Sequence, residues 1–233
     1  MKIACISDVH SLHSKVNVPE DVDVTVCAGD FTGRGRVWEV RGFLTWFSLR
    51  RRPVLIGGNH DFWLENRVDA FREMLREFPN ITYLQDSAAV IDGVKFYGSP
   101  WTPWFHDWAF NLPVSDHPEY GTGPFGTPYE PTKTEEVWGK IPNDTDVLLT
   151  HGPPAGVLDG IPAGKRVGCP VLRMRVADVR PKLHVFGHIH HSYGHKMVEG
   201  TMFVNASTCT EQYKPTNPPI VVELENDRVH VRH

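Results

Sequence analysis

The chain has 233 residues, 40% hydrophobic and 22% charged, a balance that excludes wholesale disorder. Its 24 basic and 28 acidic side chains leave a formal charge of −4, no footprint for tight nucleic-acid binding or a polybasic membrane anchor. No apolar run approaches the roughly 20 residues of a membrane helix. The first residues open directly into a strand-like run without a leader pattern, and Cys5, Cys27, Cys169 and Cys209 are scattered as reduced, buried thiols would be. The expectation is one cytoplasmic domain over residues 1–233.

Residues 2–7 and 22–28 are short apolar runs ending in Asp or Gly, as buried strands do. Residues 36–49 place Val37, Val40, Phe43, Leu44 and Phe47 at helical spacing, and 53–56 is another short strand. A second amphipathic helix is predicted over 65–78, with Val68, Phe71, Leu75 and Phe78 on one face. This βαβα order predicts a parallel sheet covered by helices. Strands at 81–84, 88–91 and 95–97 follow, joined by tight turns, one of them carrying Asp92-Gly93. Residues 98–129 read as a long loop whose aromatic load argues against a solvated linker. Strand signals resume at 146–150, 182–186, 202–205, 220–224 and 228–231, with a helix over 170–179 stopped before Pro181.

Five polar segments sit where strands end: Asp8-Val9-His10, Gly29-Asp30, Gly58-Asn59-His60-Asp61, Thr150-His151-Gly152 and Gly187-His188-Ile189-His190. The carboxyl ends of strands form the ligand-binding edge of an α/β sheet, so residues far apart in sequence can converge there. Asp, Asn and His together suit Mn, Fe, Zn, Co or Ni and argue against an all-thiolate structural zinc. A metal pair roughly 3.5–4 Å apart needs a bridging carboxylate and can share a water. Asp30 is placed to bridge. Two divalent ions, two aspartates and one hydroxide would leave about +1, a charge that attracts a phosphate ester. Each motif alone has a bland alternative as a cap, turn or surface residue; the five in this order do not.

D-x-H, G-D, G-N-H-D, H-G and G-H-x-H in this order resemble the calcineurin-like metallophosphoesterases. The stretches GSPWTPWFHDWAFNLP, THGPP, RVGCPVL, RPKLHVFGHIH and NASTCTEQYKPTNPPIVVEL resemble the branch of metallophosphoesterase-domain proteins related to class III cyclic-nucleotide phosphodiesterases. The resemblance implies a four-layer α/β/β/α sandwich of two mixed sheets flanked by helices. It implies that Asp8, His10 and His190 hold one metal, that Asn59, His151 and His188 hold a second, and that Asp30 bridges them. His60 would face the substrate phosphate as charge stabiliser or general acid, with Asp61 orienting it. The cofactor would be two divalent transition metal ions, manganese first, with Fe, Zn, Ni or Co as alternatives.

The chain departs from the Ser/Thr protein phosphatase pattern: Gly33 stands for the second Asp of G-D-x-x-D-R-G, Gly57 for the Arg before G-N-H-E, and Asp61 for its Glu. Protein phosphatase activity is not expected. Arg34 either grips a phosphate oxygen or is a solvated loop residue. Trp101, Trp104, Phe105 and Trp108 form a wall for a nucleobase or staple a loop to the core; Trp101 and Trp104 are taken as substrate contacts. His13, His106, His117, His191 and His195 read as surface or capping residues, His184 as structural, His230 and His233 as solvated. Asn205 and Ser207 read as supports of the sheet edge. The expected activity is hydrolysis of phosphodiesters, cyclic nucleotides or related small nucleotides, by attack of a metal-bridging hydroxide; the alternative is a phosphomonoesterase or small nuclease on the same site. The expected partner is a small phosphoester, with no membrane and no stable nucleic-acid partner. The sequence carries no signal for an oligomeric state.

Overall fold

In strand β1 (Lys2–Ile6), Ile3 and Cys5 face one side, Ala4 and Ile6 the other, and all four are buried. Strands β2 (Val24–Ala28) and β3 (Pro53–Ile56) repeat the pattern: Val24, Val26, Val54 and Ile56 join Ile3, whereas Cys27 and Leu55 join Ala4. Side chains alternate along a strand, so a strand that is apolar throughout must be covered on both faces. The computed structural model describes residues 1–104, 106–112, 133–225 and 228–232, and it shows what covers them.

One sheet has the order β14–β13–β1–β2–β3–β4, with β4 at Thr82–Tyr83, β13 at Ile220–Glu225 and β14 at Arg228–Val231. β1 to β4 are parallel neighbours, in register through Ile3–Val24 and Cys27–Leu55, and β13 and β14 close one edge by antiparallel pairing. The other sheet has the order β11–β12–β10–β9–β6–β5, from β5 (Ser87–Ile91), β6 (Val94–Ser99), β9 (Val147–Thr150), β10 (Leu183–Phe186), β11 (Gly194–Val198) and β12 (Thr201–Asn205). Its central strands are parallel and its two edge strands antiparallel.

Phe96, Val147, Leu149, Val185 and Val204 of this sheet meet Ile3, Val26 and Val54 of the first in a core between the sheets. Outside the first sheet lie α1 (Val37–Phe47), α2 (Phe62–Asn66) and α3 (Val68–Leu75), which bury Val40, Phe43, Leu44, Phe47, Leu64, Phe71 and Met74. Outside the second lie α4 (Lys133–Gly139) and α5 (Pro170–Val179), which bury Trp138, Leu172 and Val176 against Leu148, Phe186 and Phe203. The four-layer α/β/β/α sandwich is the expected fold. Each fully buried Phe or Leu in these layers stabilises it by about 1.5–3 kcal/mol.

Three expectations need correction. The helix over 65–78 is two: Arg67, at φ −138°, breaks it, and the first piece turns Leu64 into the core while the Glu65 carboxylate accepts the Phe110 N–H at 3.0 Å. The loop over 98–129 begins inside β6 and holds a small parallel pair, β7 (Thr102–Pro103) and β8 (Asn111–Leu112). Its residues 105 and 113–129, with Phe105 and His117, lie outside the described residues, as does His233. The helix α4 and the edge strand β11 were not expected: β11 is mostly exposed and polar, with no apolar alternation to reveal it. All four cysteines are free and buried, and among the described residues no helix is long and apolar enough to cross a membrane.

Candidate metal centre

The parallel strands of both sheets end on the same edge of the sandwich, and the five polar segments meet there. Asp8 and His10 follow β1, Asp30 follows β2, Asn59 and His60 follow β3, His151 follows β9, and His188 and His190 follow β10. Asp8, His10, Asp30 and His188 take φ values of 51°, 42°, 50° and 65°. Non-glycine residues are uncommon in this left-handed region. Here it turns each donor back over the strand end toward its neighbours. Two glycines make room for the carboxylates: a Cβ on Gly58 would lie 2.4 Å from Asp30 Oδ1, and one on Gly187 would lie 2.0 Å from Asp8 Oδ2.

Two donor sets share one atom. On one side, His190 Nε2 lies 3.2 Å from both Asp8 Oδ1 and His10 Nε2. On the other, His151 Nε2 lies 2.9 Å from Asn59 Oδ1. Asp30 Oδ2 lies between, 3.3 Å from His151 Nε2 and 3.9 Å from His10 Nε2. Ligand-type atoms of Asp8, His10 and His190 all fall within 4.8 Å of one another, as do those of Asp30, His151 and His188.

The donor chemistry calls for cations. His151 Nδ1 is 2.8 Å from the Ala28 carbonyl and His190 Nδ1 is 3.0 Å from the Thr210 carbonyl. A carbonyl can only accept, so both Nδ1 atoms carry hydrogen, and in the neutral ring both Nε2 atoms turn lone pairs to the centre, a tautomer typical of metal-ligating histidine. There they face carboxylate and amide oxygens, an arrangement that needs a proton or a cation between the partners. Asn59 aims its oxygen inward, while its buried Nδ2 has no hydrogen-bond partner among the described residues. The residues present therefore fit a pair of divalent ions.

Protons report the same pull. Burial disfavours charge on His151 and His190, yet Asp30 and Asp8 raise them to about 9. Burial would raise Asp8 and Asp30, yet His190 and His151 hold both well below the usual carboxylate range. Burial draws His10 down to about 4, and burial with the neighbouring His151 draws His188 to the same value.

Asp8 is held by the His188 N–H at 3.0 Å and by the Ser207 hydroxyl at 2.9 Å, and Asn205 Oδ1 accepts from the Ser207 backbone N–H at 3.2 Å. The expected support from Asn205 and Ser207 thus reaches the centre itself. His60 lies at the mouth, its ring 4.8 Å from those of His10 and Trp108. Its Nδ1 donates to the Gly33 carbonyl at 2.9 Å, so Gly33 and not Asp61 orients the ring. Asp61 instead accepts from the Thr32 N–H and hydroxyl and from the Gly58 N–H at 2.7–2.9 Å, fastening the loop that carries Asn59. Burial, helped by Asp30, pushes Asp61 up to about 7.

A cavity of about 420 Å³ opens over the centre, lined by Asp30, His60, His188 and His190 and walled by Trp104, Trp108, Ile161, Val167 and Tyr213. Trp104 therefore stands where a substrate contact was expected. Trp101 does not: its Nε1–H donates to Asp86 at 2.9 Å and its ring packs on Phe110, so it staples the loop. Phe110 also explains Gly57, because a Cβ there would meet its ring at 2.8 Å, leaving no room for the phosphatase arginine. Arg34 is exposed and lines an adjoining groove. Of the other histidines, His191 reaches the cavity wall and pairs with Glu211 at 3.7 Å, His13 packs on Trp46, and His230 pairs with Glu223 at 3.6 Å. Tyr213 was missed; it follows no strand signal, and only the tertiary fold brings it to the cleft.

The sequence pattern of the calcineurin-like phosphoesterases matches residues 1–192. Human metallophosphoesterase domain-containing protein 1 is 38% identical over 252 aligned residues, covering 97% of this chain and 72% of that protein. The crystal structure of TT1561 of Thermus thermophilus matches with a TM-score of 0.68 at 10% identity, over 99% of this chain and 97% of that one. A novel archaeal phosphodiesterase matches with a TM-score of 0.52 at 15% identity, over 100% and 99% of the two chains. At those identities the solved structures show the fold alone. The sequence match over most of the chain shows more: this protein belongs to the calcineurin-like phosphoesterases, a metal-dependent family of phosphoester hydrolases.

Proposed function

We propose that this chain is a dinuclear metal-dependent phosphodiesterase acting on small, nucleotide-like esters. The observation that carries the reading is the single buried oxygen of Asp30 set between His151 and His10, at 3.3 and 3.9 Å. Asp8, His10 and His190 would hold one ion and Asn59, His151 and His188 the other, with Asp30 shared. Divalent ions, manganese first among the candidates, supply Lewis acidity toward phosphoryl oxygens and a hydroxide nucleophile near neutral pH.

The chain's own groups supply the rest. His60 is fixed through Nδ1, so in its imidazolium form the Nε2–H is free to stabilise the phosphoryl charge and to pass a proton to the leaving oxygen. The aromatic wall of Trp104, Trp108 and Tyr213 supports an apolar or nucleoside substituent, for which stacking contributes roughly 1–3 kcal/mol per base. Among the described residues no lysine or arginine lines that cavity, and a cluster charge of about +1 suits a monoanionic diester better than a dianionic monoester. Arg34 and Arg36, in the groove beside the cleft, favour a phosphomonoesterase. A cytoplasmic setting accords with four free, buried thiols.

The test is to strip the protein, reload it with Mn, Fe, Zn and Ni separately, and compare esters. Bis-p-nitrophenyl phosphate and a cyclic nucleotide, 2′,3′ ahead of 3′,5′, should show higher kcat/KM than p-nitrophenyl phosphate. Asp30→Ala should lose activity and fall well below two ions per chain. A higher kcat/KM on the monoester with cyclic nucleotides inert would overturn the diester reading; two ions per chain and an unchanged rate in Asp30→Ala would overturn the dinuclear one.

A further inference from the structure

Past His10 and His60 the cleft continues into an open groove of about 660 Å³, lined by Arg34, Arg36, Trp38 and Glu39. His60 and Tyr213 line both this groove and the aromatic cavity. Tyr213 is the divider. Its ring lies 4.8 Å from His10 and 5.7 Å from His190, on a backbone held at φ 54° by a 2.8 Å bond from its N–H to the Thr210 carbonyl.

The two wings differ in chemistry. The first offers indole, proline and branched aliphatic surface. The second offers two guanidinium groups, and among the described residues neither is paired with a carboxylate. Its one acid does not cancel them. Glu39 is buried, and its two oxygens accept from Ser11 Oγ and from the N–H groups of Gly33, Arg34 and Arg36 at 2.8–3.2 Å. That network turns the carboxylate inward and pins the backbone of both arginines, so two exposed guanidinium side chains rise into the groove from fixed backbone positions. Planar guanidinium forks suit phosphate-type oxyanions.

We propose that this groove is a subsite for a second anionic group on the substrate, a phosphate or phosphonate carried on the arm opposite the apolar one. The cleft then selects an asymmetric phosphoester, with one planar apolar arm on Trp104 and Trp108 and one charged arm on Arg34 and Arg36. The identity of the bond cleaved rests on the phosphodiesterase reading; the anion subsite does not.

Calorimetry on the manganese-loaded protein separates the two. Propane-1,3-bisphosphonate should bind about 10- to 100-fold tighter than ethylphosphonate, the range expected for hydrogen bonds to a charged group. In the Arg34→Ala/Arg36→Ala double variant that gap should close to within about twofold, and the double lysine variant should restore part of it. No gap in the wild type, or a gap that survives the double variant, overturns the subsite. So does tighter binding of a ten-residue single-stranded oligonucleotide through the same arginines, which would make the groove a nucleic-acid face. Turnover completes the comparison, using ethyl p-nitrophenyl phosphate and its analogue bearing a terminal phosphate on the ethyl arm. A binding gap with neither ester hydrolysed fails the phosphodiesterase reading and leaves the subsite; hydrolysis of both esters with no binding gap does the reverse.

Discussion

Gly187 joins β10 to His188, and it has no room for a methyl group. A Cβ there would stand 2.0 Å from Asp8 Oδ2 and 2.2 Å from Ser7 Oγ. Reaching the 3.4 Å at which ordinary contact begins would move the carboxylate by about 1.4 Å. Asp8 is fastened by the His188 N–H and the Ser207 hydroxyl at 3.0 and 2.9 Å, so Gly187→Ala must break those bonds or part the strands. Overpacking of this kind costs about 1–3 kcal/mol, which a domain of this size survives. The centre is more sensitive: a 1 Å misplacement lowers rate about 100-fold, and disturbed ligand support lowers metal affinity about 10- to 100-fold. The assay is metal content by mass spectrometry after dialysis, the rate at saturating manganese, and the melting temperature. Gly139→Ala is the control, since its Cβ meets nothing within 4 Å. A folded Gly187→Ala with wild-type metal affinity and a rate within twofold would falsify the claim that Asp8 must sit where it does.

His60→Ala should keep its metals and lose roughly 10²–10⁴ in rate on esters with poor leaving groups, but less on nitrophenyl esters, whose leaving oxygen needs no proton; equal losses on both would leave His60 a charge stabiliser only. His184 gives a pH test away from the centre. It is fully buried, its Nε2 bonds to Thr150 Oγ1 at 2.8 Å, its Nδ1 has no hydrogen-bond partner among the described residues, and burial draws it from 6.5 to about 3. The unfolded chain therefore takes up a proton that the folded one refuses, and its contribution to stability, complete above pH 6.5, falls away as pH drops toward 3. At pH 5 the loss is about 2 kcal/mol. Urea unfolding at pH 7 and 5 should show a smaller acid penalty in His184→Met than in the wild type, and identical penalties would refute the assignment.

The candidate ligands were legible because a parallel sheet sends the carboxyl ends of its strands to one edge, and each of the five motifs directly follows an apolar run. Other features depend on partners that no local pattern reveals. Trp101 and Trp104 lie three residues apart in one aromatic segment, and only Asp86, from a different turn, separates the staple from the cavity wall. Glu39 reads as an ordinary helix residue, yet it organises the 33–36 turn because that turn folds back on it. The family resemblance makes Asp61 the residue that orients His60, but the Asp61 carboxylate turns to Thr32 and Gly58, and the acceptor that holds the His60 ring is the Gly33 carbonyl. The break at Arg67 follows from tertiary demands on Leu64 and Glu65 that the apolar spacing of 65–78 does not record.

The donors divide between the two sheets. Asp8, His10, Asp30 and Asn59 extend from one, and His151, His188 and His190 from the other. Neither layer can complete either half of the centre. An ion held there is a rivet through the seam of the sandwich, and its binding free energy appears as cohesion between layers. The seam is also closed late in synthesis: His190 lies 180 residues after His10, so a growing chain has no finished site until most of it has been made. Chelation, for the same reason, should loosen the two sheets against each other at this edge before it disturbs either sheet within itself.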